Sequence, residues 1–172
     1  SAVIPSANLA RELRELTDQL HHLYGTTEIG LPLVKRVDAP FDERPSLGKP
    51  GVGAQVRVVP QDADRIPTTP PQADDVGELV CRGETTMTRY MDPETQAENV
   101  QDGWIRPGDV VRVDANRDIV FLGRADDRIR SGGINVYPGD IESVLEDHAA
   151  VENATVVGVD DETWGERVCA LV

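Results

Sequence analysis

Residues 123–142 read GRADDRIRSGGINVYPGDIE, and the reading of this run decides the fold. Arg124 and the adjacent pair Asp126 and Asp127 follow a strand-like segment. Arg128 and Arg130 flank Ile129, so a short strand sends both arginines to one face. Gly132 and Gly133 admit backbone angles and close approaches that a side chain forbids. Pro138 then opens a segment in which Ile141, Val144, Leu145 and His148 fall at helical spacing, with Asp140 and Glu142 near its positive end. On pattern alone this is a strand, a glycine turn and a helix, as in any α/β domain.

Immediately upstream, residues 102–109 (DGWIRPGD) precede a hairpin pattern. Val111 and Val113 alternate with polar residues, residues 115–118 make the turn, and residues 119–122 return. Further back, residues 93–100 read as a short helix capped by Asp92, and residues 77–82 (GELVCR) as a strand that Gly83 ends. Residues 62–72 are expected to form an exposed loop, 55–59 a short strand and 46–52 a turn. Residues 23–30, LYGTTEIG, place two hydroxyls and a carboxylate beside a glycine, on a turn that ends a strand. Hydroxyls can donate to phosphate oxygens and a hard carboxylate can hold magnesium, although a plain polar loop has the same composition. Residues 10–20 carry Leu13, Leu16 and Leu20 on one helical face, and residues 1–5, SAVIP, read as the end of a strand. Downstream, residues 151–159 are apolar enough for a buried strand, and residues 168–172 begin another.

The 172 residues can bury one moderate core or parts of two domains. No apolar run approaches the ~20 residues that span a bilayer, and no leader-like stretch opens the chain. A formal charge of −14 argues against nucleic acid or an anionic membrane as the main partner. Nine of the acids fall between Asp140 and Glu166, where Lys and Arg are absent, and they read as a solvated surface. Cys81 and Cys169 lie far apart, with neither metal-ligand spacing nor a disulfide framework, which points to the reducing cytoplasm.

The opening run resembles the hinge and crossover loop of the adenylate-forming enzymes. These include acyl-CoA synthetases, luciferase-like ligases and the adenylation domains of nonribosomal peptide synthetases. Their pattern is close to G-R-x-D-D-x-I-K-x-x-G-x-N-V-x-P-x-E-I-E. Here Gly123, Arg124, Asp126, Asp127, Ile129, Gly133, Asn135, Val136, Pro138, Ile141 and Glu142 agree with it, while Arg130 stands for Lys and Asp140 for Glu. LYGTTE is similar to the family's Y-G-x-T-E. Residues 77–83 with Tyr90 are similar to its G-E-L-x-x-R-G and following Tyr, Gly108 and Asp109 to its T-G-D, and residues 164–167 to its W-G-E-R. Arg89 and Pro107 depart from Gly and Thr. SAVIP sits where the family has an adenine-binding segment, with Ser1 and Ala2 a loose match.

The resemblance implies a mixed α/β fold. Residues 1–125 would be the end of the large AMP-binding domain, including a β-rich, distorted-barrel-like subdomain, and residues 126–172 the hinge and first part of a small α/β domain. It implies that Tyr24 lies against adenine with Gly25 beside it, that Thr27 bonds phosphate and that Glu28 holds magnesium. Thr27 and Glu28 would be catalytic. Asp109 would grip the ribose hydroxyls, as two acceptor oxygens suit a vicinal diol, and Arg124 would add a second ribose contact. Asp126 would be the hinge, and Arg130, Gly132 and Gly133 would face the channel that admits a thiol.

The implied reaction joins a carboxylic acid to ATP, giving an acyl-adenylate, and then to the thiol of coenzyme A. A peptide-synthetase adenylation domain or an acyl-AMP ligase would instead load a carrier protein. Its loop has Gln and Glu-Leu-Gly where Arg128 and Tyr137-Pro138 stand here, which favours coenzyme A. A non-catalytic nucleotide-binding module is a further alternative. The family's Pro-Lys-Gly phosphate loop and C-terminal catalytic Lys have no counterpart, since Lys35 and Lys49 lack that context. The chain is therefore expected to be an internal fragment, and to be inactive by itself. Pyrophosphate exchange above background by the 172-residue chain would contradict that expectation.

Overall fold

The first helix of the chain ends early, for a local reason. α1 (Ala7–Leu16) stops where the Thr17 hydroxyl accepts the Gln19 N–H at 3.1 Å and Arg14 donates to the Asp18 carbonyl at 3.1 Å. Short polar side chains that bond nearby backbone compete with the helical ladder. The helix expected over residues 10–20 is thus displaced toward the N-terminus. Leu16 is 83% exposed and Leu20 lies beyond the helix, so the three leucines do not form one buried face. The computed structural model describes residues 7–37, 46–60, 63, 65–146 and 148–172.

The remaining elements follow in chain order. β1 (His21–Thr26), β2 (Gly30–Arg36), β3 (Ser46–Pro50), β4 (Ala54–Val59) and β5 (Val76–Gly83) come first. α2 (Pro93–Asn99), β6 (Val100–Gln101), β7 (Trp104–Ile105), β8 (Asp109–Val113) and β9 (Ile119–Arg124) follow. Last are β10 (Ile129–Ser131), β11 (Ile134–Val136), α3 (Pro138–Glu146), β12 (Thr155–Asp161) and β13 (Gly165–Leu171). The chain divides into two compact units. One comprises Ser1–Pro107 and Val111–Phe121; the other comprises Gly108–Val110 and Leu122–Val172.

In the larger sheet the strands run in the order β1-β2-β3-β9-β8-β5-β7-β6, with β4 paired to β5. The path has two ends, β1 and β6, and so forms no closed barrel among the described residues; the barrel-like expectation gives way to an open, strand-rich sheet. Residues 46–50, expected as part of a turn, form β3 because they pair on both sides, with β2 and with β9. Ile29, Leu33, Leu47, Val56, Leu79, Cys81, Val111 and Ile119 are buried together here. Each such Leu or Ile stabilises the fold by about 1.5–3 kcal/mol. α2 begins as expected, with Pro93 at its start and the Asp92 carboxylate accepting the Thr95 N–H at 2.8 Å.

In the second unit β11-β10-β13-β12 form an antiparallel sheet. α3 is tied to β12 and its approach by two carboxylates: Glu142 accepts from Val156 N–H at 2.8 Å and Glu146 from Ala154 N–H at 3.0 Å. The strand expected as buried over residues 151–159 starts later. On it Val156 is buried, while Val157 and Val159 are 39% and 41% exposed, because one face of β12 has the helix and the other has water. β11 was not expected; it exists because the glycine turn folds Ile134 back against Ser131. Among the described residues no helix is long and apolar enough to cross a membrane.

Asp118 closes the turn between β8 and β9 and is 5% exposed. Its carboxylate pairs with Lys35 on β2 and accepts from the Ser46 hydroxyl on β3 at 3.0 Å, with Lys49 at 3.6 Å. Burial alone would raise this carboxyl, but the hydrogen bonds from Lys35 and Ser46 and the charges of Lys35 and Lys49 outweigh it and hold it below the ordinary range. A depressed carboxyl stabilises the fold above its unfolded value and loses that contribution as pH falls through its folded value. Asp118→Asn is therefore expected to cost roughly 1–2 kcal/mol at neutral pH, a buried-pair figure discounted for the solvent that reaches both lysines. Urea unfolding at neutral pH and near ~pH 3, below the ordinary carboxylate value, should show the gap to wild type shrinking in acid. An equal gap at both would remove the ion pair from the account.

Candidate functional site

The candidate side chains fall into three groups, each built by its own local geometry. The first lies on the turn between β1 and β2. The β1–β2 register shifts between Tyr24 and Thr26, and the intervening Gly25 lies so close to the Gly30 carbonyl that an added Cβ would sit 1.7 Å from its oxygen. Only glycine permits this bulge, which bends the strand and turns Thr27 and Glu28 outward. The turn is anchored from beneath: the Glu28 carbonyl accepts the Met87 N–H at 2.8 Å and the Ile29 carbonyl the Thr85 hydroxyl at 3.4 Å. Thr27 is exposed and Glu28 half-buried, with its own N–H donated to the Thr26 hydroxyl at 3.3 Å.

Tyr24, expected against adenine, is 3% exposed and packs among Ile29, Leu33 and Leu47. A bound magnesium would find no cluster of three acidic, His or Cys side chains among the described residues. The single carboxylate of Glu28 beside two threonine hydroxyls fits that ion all the same, since magnesium keeps several waters and takes other oxygens from phosphates. Ser1 and Ala2, read as an adenine-binding segment, lie outside the described residues.

The second group lies at the open end of the β8–β9 hairpin. Asp109 starts β8 and Arg124 ends β9, so strands that leave and return across one turn bring residues fifteen positions apart into contact. Arg124 Nη1 donates to Asp109 Oδ1 at 2.7 Å, with side-chain exposures of 37% and 5%. The Ala125 N–H donates to the Gly108 carbonyl at 2.8 Å, which fixes both backbone segments. Beneath them Val110, Leu122 and Tyr137 form a small apolar cluster. A buried carboxylate held by a guanidinium is a fixed acceptor, and the more open arginine is the group a ligand meets first.

The third group follows in the same unit. Asp126 and Asp127 are exposed on the turn between β9 and β10. Ile129 is buried while Arg128 is half-buried and Arg130 exposed, the alternation that a strand imposes. Gly132 and Gly133 both have positive φ, 58° and 82°, and form the turn into β11. The residues that brace this turn were not singled out by the sequence beyond their match to W-G-E-R. Glu166 accepts the Arg130 N–H at 2.6 Å, and the Trp164 carbonyl accepts the Gly132 N–H at 2.9 Å. Asp161 holds the start of β13, accepting from Thr163 N–H at 2.9 Å and Trp164 N–H at 3.1 Å, and those bonds keep its carboxyl below the ordinary range.

Comparison with known proteins identifies the family. The sequence profile of the AMP-binding enzymes matches residues 2–91, and that of the AMP-binding enzyme C-terminal domain matches residues 140–172. A 2-succinylbenzoate–CoA ligase of Geobacillus sp. (strain WCH70) is 36% identical over 89% of this chain and 30% of its own length. A fatty acid–[acyl-carrier-protein] ligase, ScoC, of Streptomyces coeruleorubidus is 37% identical over 98% of this chain and 33% of its own. The solved structure of O-succinylbenzoate coenzyme A synthetase from Bacillus subtilis, in complex with ATP and magnesium ion, superposes with a TM-score of 0.79 at 28% identity, covering 99% of this chain and 34% of that one. The chain spans about a third of the length of these relatives. With profiles matching at both ends and the fold shared across its length, the chain belongs to the AMP-binding enzyme family.

Proposed function

We propose that this chain is part of an ATP-dependent acid–thiol ligase of the acyl-CoA synthetase type, and that residues 1–125 and 126–172 belong to its large and small domains. The observation that carries the reading is the Asp109–Arg124 pair at 2.7 Å, a preformed acceptor and donor at the end of one hairpin. In this reading Asp109 accepts from the ribose hydroxyls of ATP, and Arg124 both fixes the carboxylate and adds a donor of its own. Thr27 donates to a phosphate oxygen from an exposed turn, and Glu28 would hold magnesium. Bound there, magnesium would offset the charge that develops on the phosphates during attack by the carboxylic acid. Tyr24 and Gly25 act from below, one by packing and the other by permitting the bulge that presents Thr27 and Glu28.

The second half-reaction transfers the acyl group from the adenylate to a thiol, with loss of AMP. Arg130, Gly132 and Gly133 would face that thiol, thin backbone allowing close approach. Coenzyme A is the proposed acceptor. A carrier-protein thiol is the second reading, and the 37% identity to a ligase named for an acyl carrier protein is what favours it. The cytoplasm is the proposed setting, which suits the two free cysteines, one of them buried. The acid's identity would be set by residues outside the three groups described.

Two variants of the full-length enzyme test this reading. Asp109→Ala should weaken ATP binding by ~1–3 kcal/mol, the loss of charged hydrogen bonds, measured by titration calorimetry on protein shown to be folded. Unchanged affinity would remove Asp109 from the nucleotide site. Asp126, exposed between Arg124 and Arg128, is proposed as the hinge, a residue that adopts two backbone states. Proline fixes φ and also restricts the residue before it, so Asp126→Pro should hold one domain arrangement. Pyrophosphate exchange should persist while thioester formation falls sharply. Equal loss of both half-reactions in a protein that still binds ATP would mean that Asp126 serves the chemistry directly.

A further inference from the structure

The β12–β13 turn does something that the proposed site does not use. Three consecutive positions on the β10–β11 hairpin are held by three consecutive positions at the start of β13. Arg130 N–H donates to Glu166 Oε2 at 2.6 Å, Ser131 lies in register with Gly165, and Gly132 N–H donates to the Trp164 carbonyl at 2.9 Å. The Trp164 ring then lies against Gly132: a Cβ added there would meet ring carbons Cε3 and Cζ3 at 2.6 and 2.9 Å. The tryptophan is 56% exposed, so it does not fill a core. Its placement is set by Asp161, which takes its backbone N–H, and its ring covers the Cα of a residue whose φ of 58° already favours glycine. Gly133, one position on, has open space where a Cβ would go, so the brace acts on Gly132 alone.

We infer that Trp164 and Glu166 are positioning residues for thiol transfer: they hold the Arg130–Gly132 segment in the one geometry in which its thin backbone can face the incoming thiol. This rests on the proposed role of the Gly132–Gly133 turn in the second half-reaction. Neither residue touches the reacting atoms. Glu166 fixes the strand leading into the turn through a charged acceptor, and Trp164 fixes the turn by contact and by its carbonyl. Adenylate formation, which uses other residues, does not depend on the brace. A displacement of the turn by about 1 Å is enough to slow a positioned reaction up to ~100-fold.

The test uses the full-length enzyme with coenzyme A as the acceptor, and reads structure as well as rate. Trp164→Ala should speed amide hydrogen exchange at Gly132 and tryptic cleavage after the exposed Arg130 by roughly tenfold or more, as local opening becomes easier. It should slow thioester formation by roughly ten- to a hundredfold and leave pyrophosphate exchange within about twofold. Trp164→Phe, which keeps a flat ring over the glycine, should recover most of both. Gly132→Ala should slow thioester formation in the wild-type background and less so when Trp164 is already Ala, because the clash is then gone and only the strain of the positive φ remains. Additive effects of the two substitutions, or unchanged exchange at Gly132, would overturn the brace and leave Trp164 as a direct contact or a plain surface residue. A loosened turn with normal thioester formation would overturn its role in the reaction. A wild-type enzyme that makes no thioester would refute the proposed function, and the exchange and cleavage arms would still decide whether the brace exists.

Discussion

The β8–β9 hairpin is the constraint on which most else depends. Its closed end is locked by Asp118, whose buried carboxylate gathers Lys35, Ser46 and Lys49 from the neighbouring strands β2 and β3. A carboxylate so placed is costly to bury without partners, so the register of three strands is tied to one side chain. The open end carries Asp109 and Arg124, and their 2.7 Å contact exists only because the two strands keep that register. One slip of a residue would send both side chains to opposite faces.

Much of this was legible from local pattern. The hairpin announced itself through alternating valines around a polar turn, and α2 through an Asp-Pro start. The β1–β2 turn was visible because glycine, hydroxyls and a carboxylate rarely serve a strand interior. What stayed hidden depended on partners far away in sequence. Residues 46–50 look like a turn until β2 and β9 pair with them on either side. Tyr24 reads as a ligand-facing aromatic, yet the strands around it bury it. The fate of Leu16 and Leu20 turned on Thr17, whose competition with the helix a spacing rule does not weigh.

The candidate site was legible to a different depth in each group. Asp109 and Arg124 could be picked out as residue types, but their pairing needed the hairpin's register. Trp164 and Glu166 were visible as a motif without a task, because a brace is defined by what it holds and its target lies more than thirty positions away. Charge was the coarsest guide. The acids between Asp140 and Glu166 read as one solvated surface, yet Glu142, Glu146, Asp161 and Glu166 each accept a backbone N–H. Several members of an apparent charge run are thus the caps and ties of the second unit.

β12 has one further consequence, for the behaviour of the molecule in concentrated solution. Among the described residues it lies at the edge of its sheet, pairing with β13 on one side, and shows Val157, Val159 and the nearby Leu171 to water. A β-branched edge strand is a template for a strand of another molecule, and natural proteins blunt such edges with charge. Here Asp160, Asp161 and Glu162 stand at the end of the strand, and the chain as a whole carries −14. Like-charged molecules repel one another before their edges can meet, so this strand's resistance to stacking is electrostatic. It weakens where salt screens the charge or acid removes it, and edge-to-edge association becomes the characteristic failure of the small unit under those conditions.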